Sequence, residues 1–296
     1  MKFDVYKMVN ELIIEKMEAG VIPWKMTWKS NASLPMNLVT GHYYRGFNHF
    51  FLKSFHFERN LFLTFNQIVK YGASVKRGAK SYVVVFFKMF EVERAENTEK
   101  IPMLRYYRVF NIEDVEGIPD DKIPETDSHD HNFKPIEMCD LVYYNWKDSP
   151  KLAKSSLCAY SPELDEIFMP DPRSFYEDEH YYASLFHEMI HATGHWSRLN
   201  RFSKIQNNSV RAQSYSQEEL VAELGASYLC TLCGIDGVVI DNSAAYINGW
   251  LNRLKSDKKF FFQAASEAQK AVDYILINQL APEVFSMFFN PVAETA

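Results

Sequence analysis

Long apolar runs are missing from this chain: no uncharged apolar stretch approaches the roughly eighteen residues that a membrane-spanning helix needs. The opening residues, MKFDVYKMVNELIIEK, put charge into every turn, so neither an export signal nor a membrane anchor is expected and no membrane partner is assigned. Cysteine is scarce. Cys139, Cys158, Cys230 and Cys233 in 296 residues are too sparse for a disulfide framework, and the expected setting is a reducing cytoplasm. Cys230 and Cys233 form a CxxC with no second CxxC to complete a zinc cluster, and both fit as small apolar residues at a helix end. A helix with a dense basic face, the kind that enters a major groove, is also lacking, which argues against duplex readout.

What is present is a chain that is 47% hydrophobic, folded by composition, and longer than one comfortable core. The net charge of −6 conceals an asymmetry. Residues 1–110 hold 17 Lys and Arg against 9 Asp and Glu, a charge of +8, whereas the remainder holds 15 against 29, a charge of −14. Halves of opposite sign imply different partners. Between them EDVEGIPDDKIPETDSHDHNFKPIE, acidic and poor in apolar residues, reads as a solvated connection that includes His129 and His131. The boundaries expected are a first domain over residues 1–125, a linker and domain entry over 126–150, and a second domain over 151–296.

In the basic half, Val5, Met8, Val9, Leu12, Ile13 and Met17 form a 3.6-residue stripe that predicts an amphipathic helix ending near Gly20. Helices are also expected at 47–57 and 64–72. VKRGAKSYVVVFFKMFEV reads as a basic turn feeding a strand, and MLRYYRVFNI as a second β-rich run. Aromatic residues are interleaved with cations here, an arrangement suited to unpaired bases and their phosphates. The candidate nucleic-acid contacts are Trp24, Trp28, Tyr44, Arg45, Lys70, Lys76, Arg77, Lys80, Arg105 and Tyr107. The competing reading makes the aromatics core and the lysines simply solvated.

The acidic half contains SLFHEMIHATGH. On a helix His187 and His191 share a face and can direct imidazole nitrogens at one ion, with Glu188 beside them as the candidate catalytic residue. Zinc hydrolysis needs a third protein ligand, and SYSQEELVAELGASYLCTLCG supplies two candidates on one helical face. Glu219 is the preferred ligand, with Glu223 orienting a neighbouring group. Ser216 and Glu219 also have the spacing of a capping box, which would occupy Glu219 and make Glu223 the ligand. His195 is off register for the longer HExxHxxGxxH motif, because Ser197 stands where its last histidine belongs. His195 and Tyr246 are therefore candidates for supporting or substrate contacts, and Tyr160, Tyr215 and Tyr246 for donors to a developing oxyanion. YSPELDEIFMPDP reads as a short strand and turns, SAAYINGWLNRLK and KKFFFQAASEAQKAVDYILI as helices, with Ser256 or Asp257 capping the second.

Taken together, these blocks resemble one family over nearly the whole chain. IPWKMTW, PMNLVTGHYYRGFN, FLTFNQ, VKRGAKSYVVVFFK and LRYYRVFNIEDVEGIP, followed by YSPELDEIFMP, HEMIHATGHWSRLNR, EELVAELGASYL, SAAYINGWL and AASEAQKA, are similar to the ArdC-like antirestriction proteins of plasmids and other mobile elements. The resemblance implies an α+β protein of two domains. One is an N-terminal α+β module that binds single-stranded DNA, and the other a mainly helical C-terminal zincin-like metallopeptidase domain with a small β-sheet. It implies that His187, His191 and a downstream glutamate bind Zn2+, with Mn2+ or another divalent ion as the alternative occupant, and that Glu188 is catalytic. Expected partners are single-stranded DNA and a protein or peptide substrate, with a host restriction component as the candidate. The expected role is protection of incoming DNA from host restriction. The rival reading is a non-catalytic DNA-binding shield whose metal site is structural or vestigial.

Overall fold

The computed structural model describes residues 4–18, 34–55, 57–94, 97–124, 135–175, 177–205, 211–235 and 243–277. For residues 87–94, 97–103, 135–136, 204–205, 211–215 and 243–247 it describes the backbone alone. Helix α1 (Val5–Glu18) buries Val5, Val9, Ile13 and Met17, the stripe expected from their spacing. After β1 (Met36–Asn37), α2 (Phe47–Lys53) starts at Gly46, whose φ of +53° favours glycine. Strand β2 (Leu61–Thr64) runs straight into α3 (Phe65–Lys70) through a capping box, in which Thr64 Oγ1 accepts the Gln67 N–H and Gln67 Oε1 accepts the Thr64 N–H.

A short β3 (Ser74–Val75) precedes the long antiparallel pair β4 (Tyr82–Arg94) and β5 (Asn97–Asn111), and β6 (Val115–Glu116) returns to pair with β3. The larger sheet has the order β1-β2-β5-β4, with β1 parallel to β2 and the other pairs antiparallel. Asn48 of α2 covers part of the outer edge of β4. Its Nδ2 donates to Val85 O at 2.6 Å and its Oδ1 accepts the Val85 N–H at 2.8 Å, satisfying groups that an edge strand leaves open.

The stretch read as a solvated connection is more structured than expected. Val115 is buried and pairs with β3, while α4 (Pro135–Tyr144) is followed by Trp146 and places Cys139 and Val142 in the core. Too few apolar residues mark this segment for a periodicity to show, yet Val115, Ile118 and Ile123 join the small cluster around Leu61 and Leu63. His129 and His131 lie outside the described residues.

Strands β7 (Lys151–Lys154), β8 (Ala159–Ser161) and β9 (Glu166–Met169) form the small second sheet in the order β7-β9-β8. Four helices follow: α5 (Asp178–Thr193), α6 (Arg211–Leu232), α7 (Ser243–Ser256) and α8 (Phe260–Leu276). Helix α6 packs against α5 on one side and α8 on another. Cys230 and Cys233, at its end, are buried as small apolar residues. Asp257 Oδ1 accepts the Lys259 N–H at 2.9 Å in the turn ahead of α8, but the N-cap is Lys259 and no side chain caps the helix, so neither Ser256 nor Asp257 takes the expected role.

The two halves share one core. Phe47 of α2 stacks on Phe262 of α8 with centroids 4.7 Å apart, and Asn10 Nδ2 of α1 donates to Leu254 O of α7 at 2.6 Å. Each phenylalanine buried this way contributes about 2 kcal/mol, so separating the halves would cost several such contacts.

Candidate metal centre

Helix α5 begins with Asp178 and Glu179 at its positive end, where carboxylates are favoured, and stops at Gly194. A Cβ on Gly194 would lie 2.9 Å from the Phe202 ring, so a side chain here would displace that ring. Ten residues of α5 are buried, including His187, Glu188, Met189 and Ile190, which fixes the rotation of the helix and thereby the direction of both imidazoles. On α6 the matching feature is Gly225, where a Cβ would fall 2.6 Å from Ile190. The Ile190 side chain lies directly on the α6 backbone at this point, and this contact of the two helices holds Glu219 near the histidines.

Three donor groups converge. His187 Nε2 and His191 Nε2 are 3.1 Å apart, Glu219 Oε1 is 3.5 Å from His191 Nε2, and Glu219 Oε2 is 3.6 Å from His187 Nε2. Tetrahedral coordination with bonds of about 2.0–2.1 Å spaces neighbouring donors ~3.3 Å apart, so this triad fits a divalent ion of the size of zinc. Among the described residues this is the group of His, Cys, Asp and Glu side chains with donors close enough to hold a metal. Electrostatics agree. Burial opposes a charge on His191, but the Glu218 and Glu219 carboxylates outweigh it and raise its pKa to about 10. Burial likewise opposes a charge on Glu219, and His187 and His191 nevertheless hold its carboxyl well below the usual range. The pocket favours positive charge, which a divalent cation supplies.

Glu218 was not singled out from the sequence, and its position is informative. It is buried, 3.5 Å from His191 Nδ1, and gripped by Arg201, whose Nε and Nη2 donate to its oxygens at 3.0 and 2.7 Å. Arg201 also donates to Ile190 O at 2.7 Å and Thr193 Oγ1 at 2.8 Å, tying the end of α5 to α6. A carboxylate facing Nδ1 places the imidazole proton there and leaves the Nε2 lone pair pointing at the triad.

The other sequence candidates are distributed as follows. Glu188 is buried on α5 beside the triad, and its charge acts on both His191 and Cys158. Glu223 is buried one turn beyond Glu219 and does not join the three converging side chains. The Ser216–Glu219 capping box does not form, because α6 starts at Arg211 and Ser216 lies inside it. His195 stands apart from the triad, its Nδ1 2.7 Å from Ser197 Oγ. Tyr160 donates to Asp165 Oδ1 at 2.7 Å, and Arg198 holds the same carboxylate at 2.8 and 2.9 Å. Tyr246 is on α7, but its side chain and that of Tyr215 lie outside the described residues.

Several nucleic-acid candidates are relocated. Tyr44 is 2% exposed, with its hydroxyl 3.3 Å from Asn37 Nδ2, and so has no face for a base. Arg45 pairs with Asp273 of α8 and bridges the two halves, while Tyr107 packs against the core. Aromatic composition alone does not separate a stacking ring from a packed one: the core takes Tyr44, and Tyr107 is half-buried against it. Lys70, Lys76, Arg77, Lys80 and Arg105 are exposed. Trp24 and Trp28 lie outside the described residues.

Comparison with known proteins follows the same division. Residues 3–110 match the N-terminal domain of anti-restriction factor ArdC, and residues 151–267 match a zincin-like metallopeptidase family. Crystal structures of the antirestriction ArdC protein from the R388 plasmid are similar to this chain. The metal-free form is 33% identical with a TM-score of 0.77, covering 94% of this chain and 98% of that one. The Mn(II)-bound form is 34% identical with a TM-score of 0.76, covering 95% and 100%. A DNA primase TraC of Escherichia coli is 29% identical over 92% of this chain, which spans 20% of that protein's length. An uncharacterized protein of Sinorhizobium fredii, y4eC, is 28% identical over 93% of this chain and 92% of its own. Among the described residues no helix is long and apolar enough to cross a membrane.

Proposed function

Because the chain belongs to the family of ArdC-like antirestriction proteins, we propose that it is a DNA-protection factor with two activities. Its basic N-terminal half binds single-stranded DNA, and its metal centre hydrolyses a peptide bond. In this reading it acts in the cytoplasm, shields incoming mobile-element DNA from host restriction, and takes a protein substrate, for which a restriction component is the first candidate.

The observation that carries the peptidase reading is the convergence of His187, His191 and Glu219 at tetrahedral donor spacing with Glu188 beside them. A divalent ion, Zn2+ in our reading and Mn2+ as the alternative, supplies positive charge that polarises a carbonyl and acidifies water when bound. His187 and His191 hold their Nε2 atoms toward it, and Glu218 keeps the His191 proton on Nδ1. Glu188 accepts a proton from the attacking water and returns it to the leaving amine, so that its carboxylate ends as it began. The test is incubation of restriction subunits with the native protein and with Glu188→Gln. Cleavage by the native protein alone is expected, and equal cleavage by both ends this mechanism.

One observation favours a second reading. Arg201 and Glu218 already bind α5 to α6, and an ion shared by the same two helices would reinforce that joint without any chemistry. A purely structural ion would leave antirestriction intact in Glu188→Gln.

A further inference from the structure

The structure leaves one surface of the N-terminal half apolar, aromatic and positively charged at once. On α3, Phe65 and Val69 are 57% and 56% exposed, and Lys70 beside them is exposed as well. On β5, Phe110 packs in a small cluster with Leu63 and with Ile68 of α3. Side chains alternate along a strand, so Arg108 and Tyr106 emerge on the same side of the sheet as α3. Both are exposed, Tyr106 by 40%. The register pairs Thr64 with Val109, which delivers Phe65 out of β2 opposite Arg108. By this register the five side chains, from two elements, lie on one side of the sheet.

We propose that Phe65, Val69 and Tyr106, framed by Lys70 and Arg108, form a stacking platform for the bases of single-stranded nucleic acid. The proposal rests on the DNA-binding reading above and identifies the surface that performs it. Charge selects the occupant: residues 59–90 contain six Lys and Arg and no Asp or Glu. An exposed apolar patch calls for a partner, and the cations at its margin, Lys70 and Arg108, suit a ligand whose planar groups are strung on phosphates, while the acidic segment 113–123 covers the other side of the cluster around Ile68. Single strands are favoured over duplex because bases must be unstacked to meet a ring, and because α3, six residues long with Lys70 as its one cation, has no basic face to enter a groove. The platform differs from the aromatic candidates in the sequence: Tyr44 is buried and Tyr107 half-buried, whereas Phe65 and Val69 are exposed.

Stacking and charge are separable by salt. Stacking is a contact with base faces and releases no counterions, whereas each lost phosphate contact makes the salt dependence shallower by about 0.7 for a single strand. The experiment measures binding of the full chain to a fluorescein-labelled oligothymidine across a salt series. Phe65→Ala and Tyr106→Ala are each expected to weaken binding about tenfold with an unchanged slope. Phe65→Trp is expected to retain affinity, and Lys70→Ala to flatten the slope. Because Phe65 and Tyr106 are exposed, thermal melting of the variants should match that of the native protein. Native-like affinity in the Phe65→Ala, Tyr106→Ala double variant, with the native chain binding, overturns the platform alone. A slope that flattens in the aromatic variants also overturns it. A native chain that binds no single strand overturns both the platform and the DNA-binding reading.

Discussion

Three glutamates on α6 have three different fates. Glu219 reaches the histidines, Glu218 turns about a third of a helical turn away to meet His191 Nδ1 and Arg201, and Glu223 stays outside the triad. Replacing Glu218 by Gln removes the acceptor that fixes the His191 tautomer. Zinc affinity of the folded variant, measured by calorimetric titration, is expected to fall about 10–100-fold. The same change leaves the buried Arg201 guanidinium short of its counter-charge, so stability is expected to drop by about 3–5 kcal/mol in a denaturant titration. Unchanged zinc affinity would show that Glu218 serves packing alone. His187, Glu188 and His191 were legible in the sequence, because the i, i+4 spacing of two imidazoles depends on nothing but the helix. The choice between Glu219 and Glu223 was not, since both lie on one face and a capping box competed for the first. That competitor vanished because α6 starts five residues before Ser216. Glu218 was invisible for a different reason: its role depends on Arg201, which arrives from the segment after α5.

Among the elements, α5 and α6 carry the centre, and their separation is set where Ile190 meets Gly225. A Cβ at Gly225 would stand 2.6 Å from Ile190 Cδ1 and 2.7 Å from Cγ1, so a side chain there must displace Ile190 or push the helices apart. Overpacking of a tight core contact costs about 1–3 kcal/mol. Gly225→Val is therefore expected to lower the melting temperature and, by moving Glu219 away from the histidines, to weaken zinc binding more than Gly234→Ala, which is strained by a φ of +71° but lies at the helix end with nothing within 4 Å. Equal zinc affinity in the two variants would mean that close approach does not position the triad. The sequence announced α1, α7 and the HExxH helix by periodicity, and β4 and β5 by β-branched and aromatic runs. It did not announce the α5–α6 contact, because a glycine within a helical pattern looks the same whether it meets solvent or another backbone. The exposed ring of Phe65 was equally hidden: period and composition do not reveal which face a six-residue helix leaves uncovered.

At the scale of the whole molecule, opposite charge in the two halves suggested separate modules, and the matches to two family models follow the same line. The packing joins them. Arg45 pairs with Asp273, Gly46 N–H donates to Gln269 Oε1 at 2.9 Å, Lys53 Nζ donates to Thr231 Oγ1, and His49 packs on Tyr228 of α6 with centroids 4.4 Å apart. A shared core makes unfolding cooperative across the halves. A fluorine label in each half is expected to report one melting temperature, and zinc at a hundredfold excess over its Kd, contributing about 2.7 kcal/mol, is expected to raise both readings together. Two separate transitions, with zinc shifting one of them, would show that the halves are energetically independent. Charge patterning is visible in a sequence because it is additive along the chain, whereas shared packing is not, since it depends on which apolar stripes face each other.

The central claim is that His187, His191 and Glu219 together hold one divalent ion, and metal titration tests it most directly. Metal-free native protein, Glu219→Gln and Glu223→Gln are each titrated with Zn2+ while circular dichroism confirms that they are folded. One tight equivalent is expected for the native chain and for Glu223→Gln, with affinity at least about a hundredfold weaker for Glu219→Gln. Native-like binding by Glu219→Gln, or loss of the tight site in Glu223→Gln alone, would contradict the claim.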